Sequence, residues 1–185
     1  MSPISLQPIV RKLAVATGLA CLVLGLTLTS SADARGSGCG KTGVASKRSD
    51  RVALPNARSA VKCLINEERS ARNLKLNRSL NKAAQKHSRR MFEQRCFSHQ
   101  CSGEPNTSER IRKAGYMNGA SSYRIGEVIA LNSDQASPRQ IVRQWKRSPG
   151  HRVQILSSSY KHIGVGVVAK RGKAYYTVTL GHKSG

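Results

Sequence analysis

Between residues 56 and 185 the apolar positions alternate between a helical period and a strand-like one, and the switches between them predict most of the elements. Asn56 can cap a first helix in which Val61, Leu64 and Ile65, followed by Glu68 or Ala71, recur near helical spacing. A second helix is drawn by phase: Leu80, Ala84, His87 and Met91 fall on one narrow stripe, while Arg78, Lys82, Lys86 and Arg89 fall opposite. That split turns His87 towards the core, where an imidazole is expected to hydrogen-bond a buried polar group. Gly115 stops the helix of "NTSERIRKAGY", and "SSYRIGEVIAL" has the β-branched and aromatic content of a strand. Its period of two puts Tyr123, Ile125, Glu127 and Ile129 on one side, so Glu127 is a carboxylate among apolar neighbours. Ser137, Pro138 and Gln140 form a capping box leading into Ile141, Val142 and Trp145, a helix that should stop near Arg147. Ser148-Pro149 repeats the start signal, which places His151 at the third helical position with Ile155 and Leu156 on the packed side. "HIGVGVVAK" and "KAYYTVTLGH" close the chain as an antiparallel hairpin.

The N-terminal third reads differently. Arg11 and Lys12 precede the apolar run "LAVATGLACLVLGLTL", and Ala32-Asp33-Ala34 is a small-residue cleavage pattern, so residues 1–34 are expected to be a secretory signal. Cys21 within that run raises lipidation as an alternative. Residues 35–55, rich in Gly, Ser and basic side chains and ending in Pro55, predict a basic mobile arm, and residues 56–185 one packed domain. No second apolar run is long enough to span a bilayer, which predicts a secreted or periplasmic protein, taken as a monomer. Outside the cytosol, Cys39, Cys63, Cys96 and Cys101 can pair in three ways. Cys96 with Cys101 closes the short loop "CFSHQC", and Cys39 with Cys63 ties the arm to the first helix; this connectivity is the favoured one.

The formal charge is +23, and loss of the signal lowers it by only one unit. Such an excess predicts attraction to an acidic envelope polymer or an anionic lipid surface. Aromatic residues make up 4% of the chain with no aromatic-basic repeat and no zinc-finger spacing, which argues against specific nucleic-acid recognition. No nucleophile elbow surrounds any serine, and Gly164 and Gly166 lack the lysine and hydroxyl partners of a nucleotide loop. At the start of its helix His151 meets free backbone amides and the positive end of the dipole, so it is expected to be neutral and able to accept a proton or hold a metal.

The succession "AAQKHSRRM", "FSH", "AGY", "GE", a tryptophan followed by "SPGHR", then "IGVGV" and "YYT" resembles the bacterial secreted branch of the CAP superfamily, the SCP or pathogenesis-related-1 domain, over about residues 60–182. The resemblance implies an α+β fold, an alpha-beta-alpha sandwich with a central antiparallel sheet. It also implies a cleft carrying histidines and acids, at positions that correspond to His99, Glu127 and His151. Two imidazoles and a carboxylate have the composition of a three-ligand zinc site, so a divalent metal, zinc foremost, is the cofactor expectation, and these three residues are the catalytic candidates. Two departures weaken an enzyme reading. Many relatives continue the acidic motif as "GEN", whereas Val128 follows Glu127 here; and where longer eukaryotic relatives carry a second glutamate shortly after the tryptophan, this chain has Lys146 and Arg147. The sequence therefore favours a non-enzymatic module for an anionic partner, with a metal-assisted hydrolase of peptide or cell-wall material and a lipid-binding protein as the alternatives.

Overall fold

A computed structural model describes Cys39 and residues 43–185; the expected signal, and the rest of the arm before Gly43, lie outside the described residues. The ordered elements are α1 (Leu54–Glu68), β1 (Lys75–Leu76), α2 (Arg78–Gln94), α3 (Thr107–Lys113), β2 (Ser122–Asn132), α4 (Pro138–Arg147), α5 (Pro149–Leu156), β3 (His162–Lys170) and β4 (Lys173–Ser184). The four-stranded sheet has the order β1-β3-β4-β2. β4 pairs antiparallel with both β2 and β3, but β1 runs parallel to β3, so the sheet is mixed where a purely antiparallel one was expected. The reason is local: after α1 the chain returns beside β3 for only two residues before Asn77 caps α2, a segment too short to show a period in the sequence.

Strand alternation divides the sheet into two buried faces. Val128, Ala130, Ile163, Val165, Ala174, Tyr176, Val178 and Leu180 point to one side, into a core shared with α1, α4 and α5. Ile125, Ile129 and Tyr175 point to the other side, into two smaller clusters under α2 and α3. Helices on both faces of one sheet make the α-β-α sandwich. Trp145 of α4 is fully buried, donates its indole N–H to the Ile129 carbonyl at 2.9 Å and meets the Tyr176 ring edge-on.

Local chemistry fixes the junctions. The Ser137–Gln140 capping box at the start of α4 is formed in both directions. The β3–β4 turn carries Arg171 (φ 49°) and Gly172 (φ 75°), the pair of positive φ values that a two-residue hairpin turn of the twisted type demands. Gly164 and Gly166 lie on the α2 side of β3 because α2 packs there backbone to strand: a Cβ at Gly164 would stand 2.1 Å from the Leu80 carbonyl carbon, and one at Gly166 2.3 Å from that of Ala84. The apolar stripe of α2 follows from this seat, with Leu80, Ala84, His87 and Met91 fully buried while Arg78, Lys82, Lys86 and Arg89 are exposed.

Two boundaries and one cap differ from the sequence reading. α1 begins at Leu54, with Pro55 in its first turn and no side-chain cap, so Asn56 lies inside the helix. Ser148 stands at the N-cap of α5, yet its hydroxyl makes no capping bond. The expected mobile arm is packed from Gly43 onward: Val44–Ser46 and Ser49–Arg51 form short 3-10 turns, Ala45 and Ser49 are buried, and the Ser49 hydroxyl bonds the Ala136 carbonyl and the Tyr176 hydroxyl. Single small residues anchor this segment, and they leave no periodic trace. Cys39 is bonded to Cys63 and Cys96 to Cys101, the favoured connectivity.

Candidate functional site

The sandwich brings one charged cluster together under α2. On β2, Glu127 has the same parity as Ile125 and Ile129 and so faces α2, where its side chain is only 3% exposed. A carboxylate so buried must be paired. Arg110 of α3 does this, one terminal nitrogen donating to both Glu127 oxygens at 2.9 and 2.8 Å. Thr107 Oγ1 and His99 Nδ1 complete the set at 3.0 Å each. Arg110 is the hub: its other terminal nitrogen donates to the His99 and Pro105 carbonyls at 2.9 Å and lies 3.7 Å from a Glu104 oxygen, so it also fixes the loop between α2 and α3.

That loop carries His99. The Cys96–Cys101 bond closes it at one end, and Glu104 at the other end accepts from His87 Nδ1 at 2.8 Å. His99 stands at the surface with its side chain 53% exposed, so its ring is half in solvent and half tied to Glu127. Beside it a cleft of about 500 Å³ opens over Gln100, Asn106, Thr107, Ser108, Ile125 and Glu127, with Ile125 the one apolar side chain in its lining.

His87 is a core histidine, as its phase in α2 predicts. Its Nδ1 is used by Glu104, whereas Nε2 has no hydrogen-bond partner and faces a Glu127 oxygen 4.0 Å away. Complete burial lowers the His87 pKa; Glu127 and Glu104 pull it back up, Arg110 adds to the lowering, and the net direction is down. For Glu127, burial alone would raise the pKa, but the His99 hydrogen bond, Arg110 and His87 together outweigh it and hold the carboxyl below its usual range. His151 sits at the third position of α5, half-buried, and burial followed by the charge of His99 lowers its pKa, in the direction expected for a neutral imidazole.

These shifts share one sign. A histidine whose folded pKa is depressed leaves the unfolded chain to take up the proton first, so its contribution to stability is complete above the ordinary value of 6.5 and is lost as pH falls towards the folded value. Glu127 adds a further loss lower down, as pH falls through its depressed value. The urea midpoint of the protein is therefore expected to fall steadily from pH 7.5 to pH 5, with less of that fall in His87→Gln. A midpoint that rose on acidification would contradict the assignment.

The structure thus joins His99 to Glu127 and leaves His151 close enough to feel the charge of His99, with no hydrogen bond from His151 to either. Glu127 does not fit as the carboxylate ligand of a zinc centre, since both its oxygens accept from Arg110, while His99 spends Nδ1 on that carboxylate and keeps Nε2 for a metal. Among the described residues, one group of three donors gathers within 4.8 Å, Cys39, Cys63 and Glu67, and its cysteines are bonded to each other. Lys146, in the region after the tryptophan, pairs with Glu68 at 2.6 Å. Sequence reasoning missed Glu104 and Arg110. The signal for them was weak: an arginine inside the strongly charged "SERIRK" looks like solvent-facing surface.

Residues 57–180 match the CAP, cysteine-rich secretory protein, family, and the chain belongs to it. It is 34% identical over 109 residues to the uncharacterized protein YkwD of Bacillus subtilis strain 168, an alignment covering 57% of this chain and 40% of YkwD. This chain therefore spans well under half of that relative. Among solved structures it is similar in fold to an outer surface protein of Borrelia burgdorferi, with a TM-score of 0.62, 20% identity, and coverage of 72% of this chain and 97% of that one. An extracellular SCP-domain protein of Bacillus anthracis superposes with a TM-score of 0.59 at 24% identity, covering 68% of this chain and 40% of that one.

Proposed function

We propose that this CAP domain is a non-enzymatic, exported binding module whose partner is anionic, an acidic envelope polymer or an anionic lipid surface. The observation that carries this reading is how the few acidic side chains are used. Of nine acids in a chain of formal charge +23, Glu104 and Glu127 are consumed in the buried cluster, Glu68 is paired with Lys146 and Asp50 with Arg48. The outer face of α2 is left with Arg78, Lys82, Lys86 and Arg89, all exposed. Two disulfides and the extracellular or outer-surface description of the structural neighbours support an exported location. Among the described residues no helix is long and apolar enough to cross a membrane.

The cleft supports a structural role better than a chemical one. A general base takes a proton from a nucleophile, whereas the Glu127 carboxylate is engaged in the cluster, Oε1 accepting from Arg110, Thr107 and His99 and Oε2 from Arg110.

Binding of residues 35–185 to vesicles containing phosphatidylglycerol, or to a soluble acidic polymer, is expected to weaken steeply as salt rises, because each screened contact removes part of the attraction. Equal binding to neutral and acidic vesicles across the salt series would reject the proposal. Turnover of peptide or peptidoglycan that His99→Ala abolishes would favour the hydrolase instead.

A further inference from the structure

Between α2 and α3 lies a second recess, of about 200 Å³, separate from the opening beside His99. Lys82, Lys86 and Arg90 enter it from one row of α2, spaced four residues apart, and Lys113 enters from the end of α3. Among the described residues none of these four has an acidic partner within salt-bridge distance. Like charges four apart on a helix repel and destabilise it, so three cations in one row, facing a fourth, form an arrangement that a bound anion would relieve. The floor is small and apolar, from Ala83, Pro105 and Ala114. Glu104 and Arg110 also reach the wall; the Glu104 carboxylate accepts from His87 and lies 3.7 Å from Arg110, whose charge it shares with Glu127, so one acid opposes the four cations of the recess.

We infer that this recess binds a phosphate group, and that it is the point at which the anionic partner proposed above is held; the inference rests on that proposal. The size and the donors select the chemistry. The volume of about 200 Å³ is below the roughly 300–1,000 Å³ of sites for drug-sized ligands, which suits a compact headgroup. One planar guanidinium and three ammoniums present more donors than the two oxygens of a carboxylate can accept, whereas a phosphoryl group offers three or more oxygens, with Arg90 able to bind two of them as a fork. The phosphate can belong to a lipid headgroup or to a soluble phosphate ester.

The test uses residues 35–185 and three probes: inorganic phosphate, glycerol 3-phosphate, and vesicles of equal phosphatidylglycerol and phosphatidylcholine. The pair Lys86→Ala with Arg90→Ala is compared with Arg143→Ala with Arg152→Ala, which removes the same charge from exposed positions on α4 and α5. The recess pair is expected to lose about tenfold or more in affinity and the distant pair about twofold or less. Backbone amide shifts on adding phosphate should concentrate in residues 82–90 and 110–114. Should the recess pair fail to fold, Lys82→Gln with Lys113→Gln, both exposed, takes its place. Loss with vesicles alone assigns the site to a lipid headgroup, and loss with the soluble probes as well assigns it to free phosphate esters. Equal losses from both pairs would overturn the recess while leaving diffuse attraction by the cationic surface standing, and absence of salt-dependent binding by the unmodified protein would overturn that attraction as well.

Discussion

Arg110→Met is expected to lower the stability of the domain by about 3–5 kcal/mol, because it removes one partner of a buried ion pair and leaves the other charge uncompensated. Arg110 is 6% exposed and Glu127 is among the most deeply enclosed acids, so water cannot replace the lost guanidinium. The same change frees the His99 and Pro105 carbonyls, and with them the loop that presents His99. Urea denaturation followed by circular dichroism measures the loss. Arg110→Lys should fall between, since an ammonium keeps the charge but not the fork. Adding Glu127→Gln to Arg110→Met should recover part of the deficit, because the stranded charge is then gone. A loss under about 1 kcal/mol in Arg110→Met would mean that the cluster does not hold the fold, against the burial of its members.

The second large effect concerns the seam between α2 and β3. Gly164→Ala places a methyl group where the nearest backbone atom is 2.1 Å away, and the neighbour is helix main chain, which cannot rotate aside as a side chain could. The helix must lift from the strand, disturbing the Asn81 and Gln85 side chains that bond the amides of Val165 and Val167 at 2.8 and 3.0 Å. Overpacking of this kind costs about 1–3 kcal/mol, and more where backbone is displaced. Gly150→Ala is the matching control: no atom lies within 4 Å of its added Cβ, and the position is helical, so it should stabilise by up to about 1 kcal/mol. Equal urea midpoints for the two variants would contradict the close approach. Because His87 and Lys86 ride on the same helix, the Gly164 change should also weaken the phosphate recess.

What the sequence disclosed was local. The stripe of α2, the Ser137 capping box, the third-position His151 and the β3–β4 hairpin each follow from residues within a turn or two of one another, and the structure has all of them. The family resemblance supplied His99 and Glu127, which the fold joins at 3.0 Å. The rest depended on distant partners. Glu104 and Arg110 become a cluster only when a loop, α3 and β2 converge, and the parallel β1 is defined by its neighbour β3 more than by its own two residues. The packing of 43–55 was hidden for a similar reason, since Ser49 is a core residue only through Tyr176 and Ala136 on the far side of the chain.

Trp145 has one more consequence. It is the sole tryptophan of the chain, wholly enclosed between α4 and the sheet, with its N–H on the carbonyl of the strand that carries Glu127 two residues away. The protein therefore contains a native optical reporter. Its emission should be blue while the sandwich is closed and move to the red once water reaches the indole, so the integrity of the layer behind the charged cluster can be followed at low concentration with no added label.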